Sequence, residues 1–213
     1  MIPSVPTGTL DEIIFRWLSV DKANVYFDEG YLSKIAKHFG DGKYFKIKYF
    51  NLAISMCRNF EYYCNKLYVY TAPPFQSTPP SEEESRRKSG YDKFIYNLQR
   101  KNDIIVREGR LQKIDDAFQQ KGVDTLLTMD LMKLQNNKDK VKAAVLLTSD
   151  TDFVPVLNDL MDTGIGIYLY YYNDFKRSSQ FSMSNHLLTA CNESCLITKE
   201  LLESCEYVVR RNP

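Results

Sequence analysis

The chain has 213 residues, 44% hydrophobic and 26% charged, values of an ordinary globular protein that argue against disorder. Its formal net charge of +1 gives no bulk attraction to a polyanion, so any nucleic-acid contact has to come from local clusters. No apolar run approaches the roughly 18 residues of a membrane span, and Met1-Ile2-Pro3-Ser4-Val5-Pro6 lacks the basic-then-apolar pattern of a secretory signal.

The five cysteines are odd in number and form no Cys-x-x-Cys pair, which fits reduced thiols and a cytoplasmic location. His38 and His186 are the only histidines and neither has a ligand-spaced neighbour, which argues against zinc.

In chain order, a proline-rich lead and a short helix over Leu10–Leu18 form an N-terminal extension of residues 1–20; residues 21–213 form the main domain. Asn24–Phe27 is a short strand ending at Asp28-Glu29-Gly30. A helix follows, with Tyr31, Leu32, Ile35, Ala36 and Phe39 on its apolar face and Gly40 as its stop. The spacing predicts a helix within residues 47–63 and a strand over Lys66–Thr71. Residues 72–80 carry Pro73, Pro74, Pro79 and Pro80 and read as a loop. Ser81 and Glu84 then form a capping box for a helix running to about residue 101. Glu82–Arg86, Glu83–Arg87 and Glu84–Lys88 are expected ion pairs at i,i+4.

Asp103–Gly109 reads as a strand. Lys121-Gly122-Val123-Asp124 opens a helix with Leu127, Leu131 and Leu134 on its apolar face. Ala143–Leu147 is a buried strand that ends in Thr148-Ser149-Asp150-Thr151-Asp152 and passes into a helix stopped by Gly164. Ile165–Tyr172 is a further strand, and residues 182–203 mix short helical and strand-like pieces. Strands separated by helices predict βαβ units and a mostly parallel sheet covered on both faces.

Candidate acids collect at the strand ends: Asp28 after the first strand, Asp150 and Asp152 after the later one, and Asp124 in the first turn of its helix. Ligands of open α/β sheets bind beyond the carboxyl ends of the strands. Taken singly, each acid has an ordinary role: Asp28 a turn residue, Asp124 a favourable charge at a helix start, Asp150 a cap. Brought together, they would repel strongly unless a cation held them. Oxygen-only ligands suit Mg2+ or Mn2+, and a carboxylate-held metal pair suits phosphodiester hydrolysis. Asp130 has Leu126, Leu127 and Leu134 one turn away, so it reads as partly buried, with a supporting role behind the metal ligands or a structural hydrogen bond.

The same residues carry a family likeness. Lys121-Gly122-Val123-Asp124-Thr125-Leu126-Leu127-Thr128-Met129-Asp130-Leu131 resembles K-G-V-D-x-x-L-x-x-D-L. Thr148-Ser149-Asp150-Thr151-Asp152-Phe153-Val154-Pro155 resembles S-G-D-S-D-F-x-P, and Val25–Leu32 resembles an opening strand of the pattern I-D-G-x-Y-L. In order and spacing these are similar to the NYN domain, the LabA-like branch of the PIN-like nucleases. Glu108-Gly109-Arg110-Leu111-Gln112 resembles the family's strand before the K-G-V-D helix. The likeness runs from about Asn24 to Tyr170 and extends toward Ile197.

The resemblance implies a PIN-like three-layer α/β/α sandwich and a metal-dependent nuclease acting on RNA, with Asp28, Asp124, Asp150 and Asp152 as catalytic and metal-binding residues. Ser149 and Thr151 stand where the pattern has Gly and Ser, and are expected to support the ligands alongside Asp130. Glu29-Gly30-Tyr31 lacks the Asn many members carry after the first Asp, and Asn192 stands where a family Asp is usual.

The reading is therefore a Mg2+- or Mn2+-dependent endoribonuclease acting on single-stranded RNA, with Arg110 and Lys121 contacting the backbone and a homodimer left open. Its competitor is a catalytically weak or inactive nucleic-acid-binding module on the same fold. A small-phosphoester hydrolase is the third reading, without a nucleophile motif or P-loop to support it. Tyr168-Leu169-Tyr170-Tyr171-Tyr172 reads either as a base-stacking run or, more ordinarily, as strand packing.

Overall fold

Residues 23–27 are all buried rather than buried at every second position, the signature of a strand covered on both faces. This strand, β1 (Lys22–Asp28), lies inside a six-stranded sheet with β2 (Tyr63–Thr71), β3 (Ile104–Glu108), β6 (Val141–Leu147), β7 (Gly166–Tyr171) and β8 (Glu193–Leu196). The computed structural model describes residues 20–42, 45–114, 117–136, 140–174, 179 and 181–207. The helix expected over Leu10–Leu18 lies outside the described residues.

The sheet order is β3-β2-β1-β6-β7-β8, and every neighbouring pair is parallel. Chain order runs outward from β1 on one side and from β6 on the other. The direction of winding therefore reverses between β1 and β6, which opens a crevice beyond their carboxyl ends.

Among the described residues, seven helices pack around the strands: α1 (Glu29–Phe39), α2 (Tyr49–Asn59), α3 (Glu82–Gln99), α4 (Val123–Met132), α5 (Val154–Asp162), α6 (Asn185–Thr189) and α7 (Lys199–Ser204). Val25, Phe27, Val145 and Leu147 face a core that includes Leu32 and Ile35 of α1, Leu52 and Met56 of α2 and Leu202 of α7. Tyr26, Ala144, Leu146 and Leu169 face the opposite core with Leu127 and Leu131 of α4, Leu157 and Leu160 of α5 and Leu187 of α6. The result is the expected three-layer α/β/α fold of the PIN-like class.

Two local features differ from expectation. The segment after Glu108 is not one strand. Glu108 ends β3, the Gly109 N–H donates to the Thr71 carbonyl at 2.8 Å, and the chain then forms an antiparallel hairpin of β4 (Arg110–Ile114) and β5 (Ala117–Lys121). Lys88 pairs with Asp92, not with Glu84. Glu84 is instead the acceptor of the α3 capping box, taking the Ser81 N–H at 2.8 Å and the Ser77 hydroxyl at 2.6 Å. Those bonds, led by Ser77, hold its carboxyl down at about 2. The Glu83–Arg87 pair forms as expected.

The tyrosine run of β7 is packing. Tyr168 packs on Phe60 with centroids 4.6 Å apart and rings tilted by 35°, Tyr170 is buried, and Tyr172 packs edge-on against Phe39 and Phe181.

A candidate acid centre at the β1–β6 crevice

The last paired residues of the two central strands are Phe27 and Leu147. Asp28 is one residue beyond this rung and Asp150 three residues beyond it, so both emerge at the crevice. Each is fixed by its own cap. Asp28 Oδ1 accepts the Tyr31 N–H at 3.1 Å and starts α1. Asp150 Oδ1 accepts the Asp152 N–H at 2.9 Å and starts the 3-10 turn Thr151–Phe153 that leads into α5. The roles of turn and cap residue are thus met along with, and not instead of, a place at the strand ends.

Asp124 arrives from α4. Gly122, at φ +82°, turns the chain into that helix with a backbone conformation only glycine adopts freely. Asp124 and Asp152 line one cleft of about 460 Å3 together with Thr125, Thr128, Met129, Met132 and Phe153.

The acids feel one another. The Asp28 carboxyl is pushed above the ordinary carboxylate range, first by burial and then by the charges of Asp124 and Asp150, against the lowering effect of the Tyr31 N–H. Asp124 is pushed the same way by partial burial and by the charges of Asp150 and Asp152. Such mutual repulsion is relieved by a cation, and the donors are all hard carboxylate oxygens, which suits a divalent ion such as Mg2+ or Mn2+. Among the described residues, no three Asp, Glu, His or Cys side chains already close on a common point as a preformed metal cage. The chemistry of the donor set fits the ion; an ion would draw the carboxylates together.

Ser149 meets the Tyr31 hydroxyl, which also accepts the Tyr172 N–H at 2.9 Å and donates to the Tyr172 carbonyl at 3.2 Å. Ser149 therefore ties the acid loop to the end of β7. Burial pushes the Tyr31 hydroxyl up to about 12, so it stays protonated. Thr151 is exposed in the 3-10 turn. Buried Thr148 accepts the Asp150 N–H at 3.2 Å and so supports the loop from beneath.

Asp130 is not among the groups that shift Asp28 or Asp124. Its buried carboxylate accepts Arg107 Nε and Nη2, each at 2.6 Å, Lys133 Nζ at 2.6 Å and the Tyr70 hydroxyl at 3.1 Å. Burial raises its pKa, but hydrogen bonds led by Arg107 outweigh that and hold it below the ordinary value. Of the two roles open to Asp130, the contacts present are those of a structural ion pair.

Arg110 and Lys121 are paired across the base of the hairpin and exposed. Alternation along the strands puts them on one face and Leu111, Gln120 and Phe118 on the other.

Two residues at the centre carried no expectation. Glu29, beside Asp28, accepts the Ser33 hydroxyl and the Tyr49 hydroxyl (3.3 Å for the latter), and burial raises its carboxyl. An acid doublet at a strand end was a visible signal for it. Gln120 has its side-chain amide 3.9 Å from where a β-carbon on Gly30 would lie, a point itself 3.3 Å from Asp28 Oδ1. Nothing in a polar strand flags such an amide.

Asn192, where a family acid is usual, lies elsewhere. Its Oδ1 accepts the Ile167 N–H at 2.6 Å, and its own N–H donates to the Ile167 carbonyl at 2.8 Å. Ile167 pairs with Ala144, three rungs before the Tyr170–Leu147 rung nearest the acids.

No curated protein matches the chain significantly. Among solved structures, the chain is similar to a protein of unknown function from Vibrio parahaemolyticus, with a TM-score of 0.55 at 11% identity over 85% of this chain and 95% of that one, a likeness of fold alone. No helix among the described residues is long and apolar enough to cross a membrane. The family model of the NYN domain matches residues 18–197, which include all four crevice acids. The chain belongs to the NYN-domain family of the PIN-like nuclease superfamily.

Proposed function

We propose that this chain is a Mg2+- or Mn2+-dependent endoribonuclease that hydrolyses single-stranded RNA at Asp28, Asp124, Asp150 and Asp152. The observation that carries the reading is the gathering of carboxylates at the crevice, where burial first, and then one another's charges, raise Asp28 and Asp124 together. Repulsion of this kind costs stability and is kept where function needs it.

Asp28, Asp124, Asp150 and Asp152 would hold the divalent ions. When bound, such ions supply a water of lowered pKa and neutralise charge on the leaving oxygen. The chain's part is orientation. The cap bonds of Asp28 and Asp150 fix one oxygen of each carboxylate, so neither side chain has to be ordered when substrate arrives. Thr148 and the Ser149–Tyr31 contact steady the loop that carries Asp150. Arg110 and Lys121 supply positive charge for the RNA backbone beside this acidic centre.

The reading extends to a domain of residues 21–213 preceded by an extension, and to a cytoplasmic setting, which five free thiols suit. The competing reading, a non-catalytic binding module, draws on Asn192 and on the missing Asn after Asp28; the bonds of Asn192 to Ile167, three rungs before the acids, weigh against the first of these.

The test is cleavage of single-stranded RNA in a titration with Mg2+ and Mn2+, wild type beside Asp150→Asn. Activity should require the ion, stop with chelator and be lost in the variant. Inertness across both ions, or full activity in Asp150→Asn, rejects the proposal; binding of RNA without cleavage, unchanged in Asp150→Asn, selects the module instead.

A further inference from the structure

Phe118 is 56% exposed, an unusual place for a large apolar ring on a hairpin whose other described side chains are mostly polar. Its ring meets Phe75 at a centroid distance of 5.2 Å, tilted by 48°. Phe75 belongs to the proline-rich loop, which is restrained on both sides of it. Pro73 and Pro74 precede Phe75 with fixed φ angles, and Ser77 just beyond it is tied to Glu84 at 2.6 Å and to the Pro79 carbonyl at 2.8 Å.

The hairpin also reaches the acids. Phe118 and Gln120 are two residues apart on β5 and therefore share a face. Gln120 lies against Gly30 beside Asp28. The aromatic pair thus stands about 7 Å along the strand, at about 3.4 Å per residue, from an amide next to the acid centre. Arg110 and Lys121 bring positive charge to the same hairpin, on its other face.

We propose that Phe118 and Phe75 form a stacking platform for an unpaired nucleobase of the strand whose phosphodiester lies at Asp28, with Gln120 hydrogen-bonding the nucleotide between them. The inference rests on the nuclease reading and adds to it the element that selects single strands. A stacked base must be free of its partner, so duplex nucleic acid is excluded from the platform. Aromatic rings accept any base face, so the platform confers strandedness and register more than sequence.

The test measures binding of a fluorescein-labelled single-stranded oligouridylate to the full chain carrying Asp150→Asn, with and without Phe118→Ala, Phe75→Ala or Phe118→Tyr. Phe118→Ala should weaken binding about tenfold, within the range of one lost base–aromatic stack. Phe118→Tyr should bind like the parent. An abasic strand of equal length should bind parent and Phe118→Ala equally. Hydrolysis of bis-p-nitrophenyl phosphate, which has no base to stack, by the wild-type chain reads the acid centre separately from the platform. Unchanged oligouridylate binding in Phe118→Ala, or an equal loss on the abasic strand, overturns the platform while leaving the nuclease reading intact. An Asp150→Asn chain that does not bind RNA, together with a wild-type chain that hydrolyses neither RNA nor bis-p-nitrophenyl phosphate, overturns both.

Discussion

Asn192 and Ile167 exchange two hydrogen bonds, the side-chain oxygen taking the Ile167 N–H at 2.6 Å and the Asn192 N–H reaching the Ile167 carbonyl at 2.8 Å. Asn192 thereby closes the start of β8 onto β7. Ile167 precedes Tyr170, whose rung is nearest the acids, by three residues, about 10 Å along a strand. A carboxylate at this position would accept the same bond without reaching the crevice. Asn192→Asp should therefore leave both fold and nuclease rate unchanged. Asn192→Ala should cost about 1 kcal/mol, one net hydrogen bond, in denaturant unfolding. A clear gain in RNA cleavage by Asn192→Asp would put the position in the site and defeat this account.

The strain at Asp28 predicts an exchange of stability against activity. Its folded-state pKa lies above its unfolded value, so the folded chain binds the proton more tightly. Its ionisation therefore weakens folding as pH rises from the ordinary carboxylate range, near 3.9, through the raised value, and the penalty is complete above that. Asn caps a helix as well as Asp does, so Asp28→Asn keeps the Tyr31 bond. Metal-free Asp28→Asn should melt above wild type at neutral pH, and the difference should close in acid, below the ordinary value. It should also be inactive. Thermal melts across pH in the presence of chelator decide it; a variant less stable than wild type at neutral pH would mean that burial and repulsion do not penalise the Asp28 charge.

Asp130 titrates in the opposite sense. Its folded pKa is depressed by Arg107, Lys133 and Tyr70 after burial has been overcome. Its contribution is present above the unfolded carboxylate value and is lost as pH falls through the folded one. Arg107 is 32% and Lys133 60% exposed, so both can rehydrate when the acid is removed, whereas the Tyr70 hydroxyl is buried and cannot. Asp130→Ala should therefore cost about 3 kcal/mol, the low end for a broken buried pair. The loss should be large at neutral pH and shrink toward strong acid, which urea titrations at several pH values would read. Equal loss at every pH would point to packing rather than to charge.

How far the sequence carried depended on whether a residue's partner was local. Ala143–Leu147 announces a buried strand by its unbroken apolar run, and Asp28, Asp150 and Asp152 sit where that strand and β1 must end. The Ser81–Glu84 box was readable for the same reason. The β4–β5 hairpin was not: Arg110-Leu111-Gln112 and Phe118-Gln119-Gln120-Lys121 are largely polar on both faces and carry no Asn-Gly turn. Burial of Asp130 follows from helical spacing, but its partner Arg107 comes from β3, a contact only the sheet order creates. Lys88 illustrates a competition: Glu84 stood at the favourable spacing, yet the cap took it and left Lys88 to Asp92.

Gly109 tests the link between the hairpin and the acid helix. A β-carbon there would lie 2.6 Å from Val123 Cγ2, 2.7 Å from the Lys121 carbonyl oxygen and 3.0 Å from the Val123 N. Two of these three atoms are backbone, and they belong to the turn that aims Asp124 through Gly122. The strain cannot be relieved by a rotamer change and must move the turn itself. Gly109→Ala should cost about 1–3 kcal/mol, as for overpacking a close-packed site. Because the displaced segment carries Asp124 at one end and Gln120 at the other, cleavage should fall by more than the fraction of unfolded chain explains. Comparing the rate per folded molecule, from circular dichroism and cleavage on the same sample, gives the answer. A variant with wild-type rate per folded molecule would show that the turn absorbs the methyl group without moving Asp124, and that the close approach at Gly109 serves packing alone.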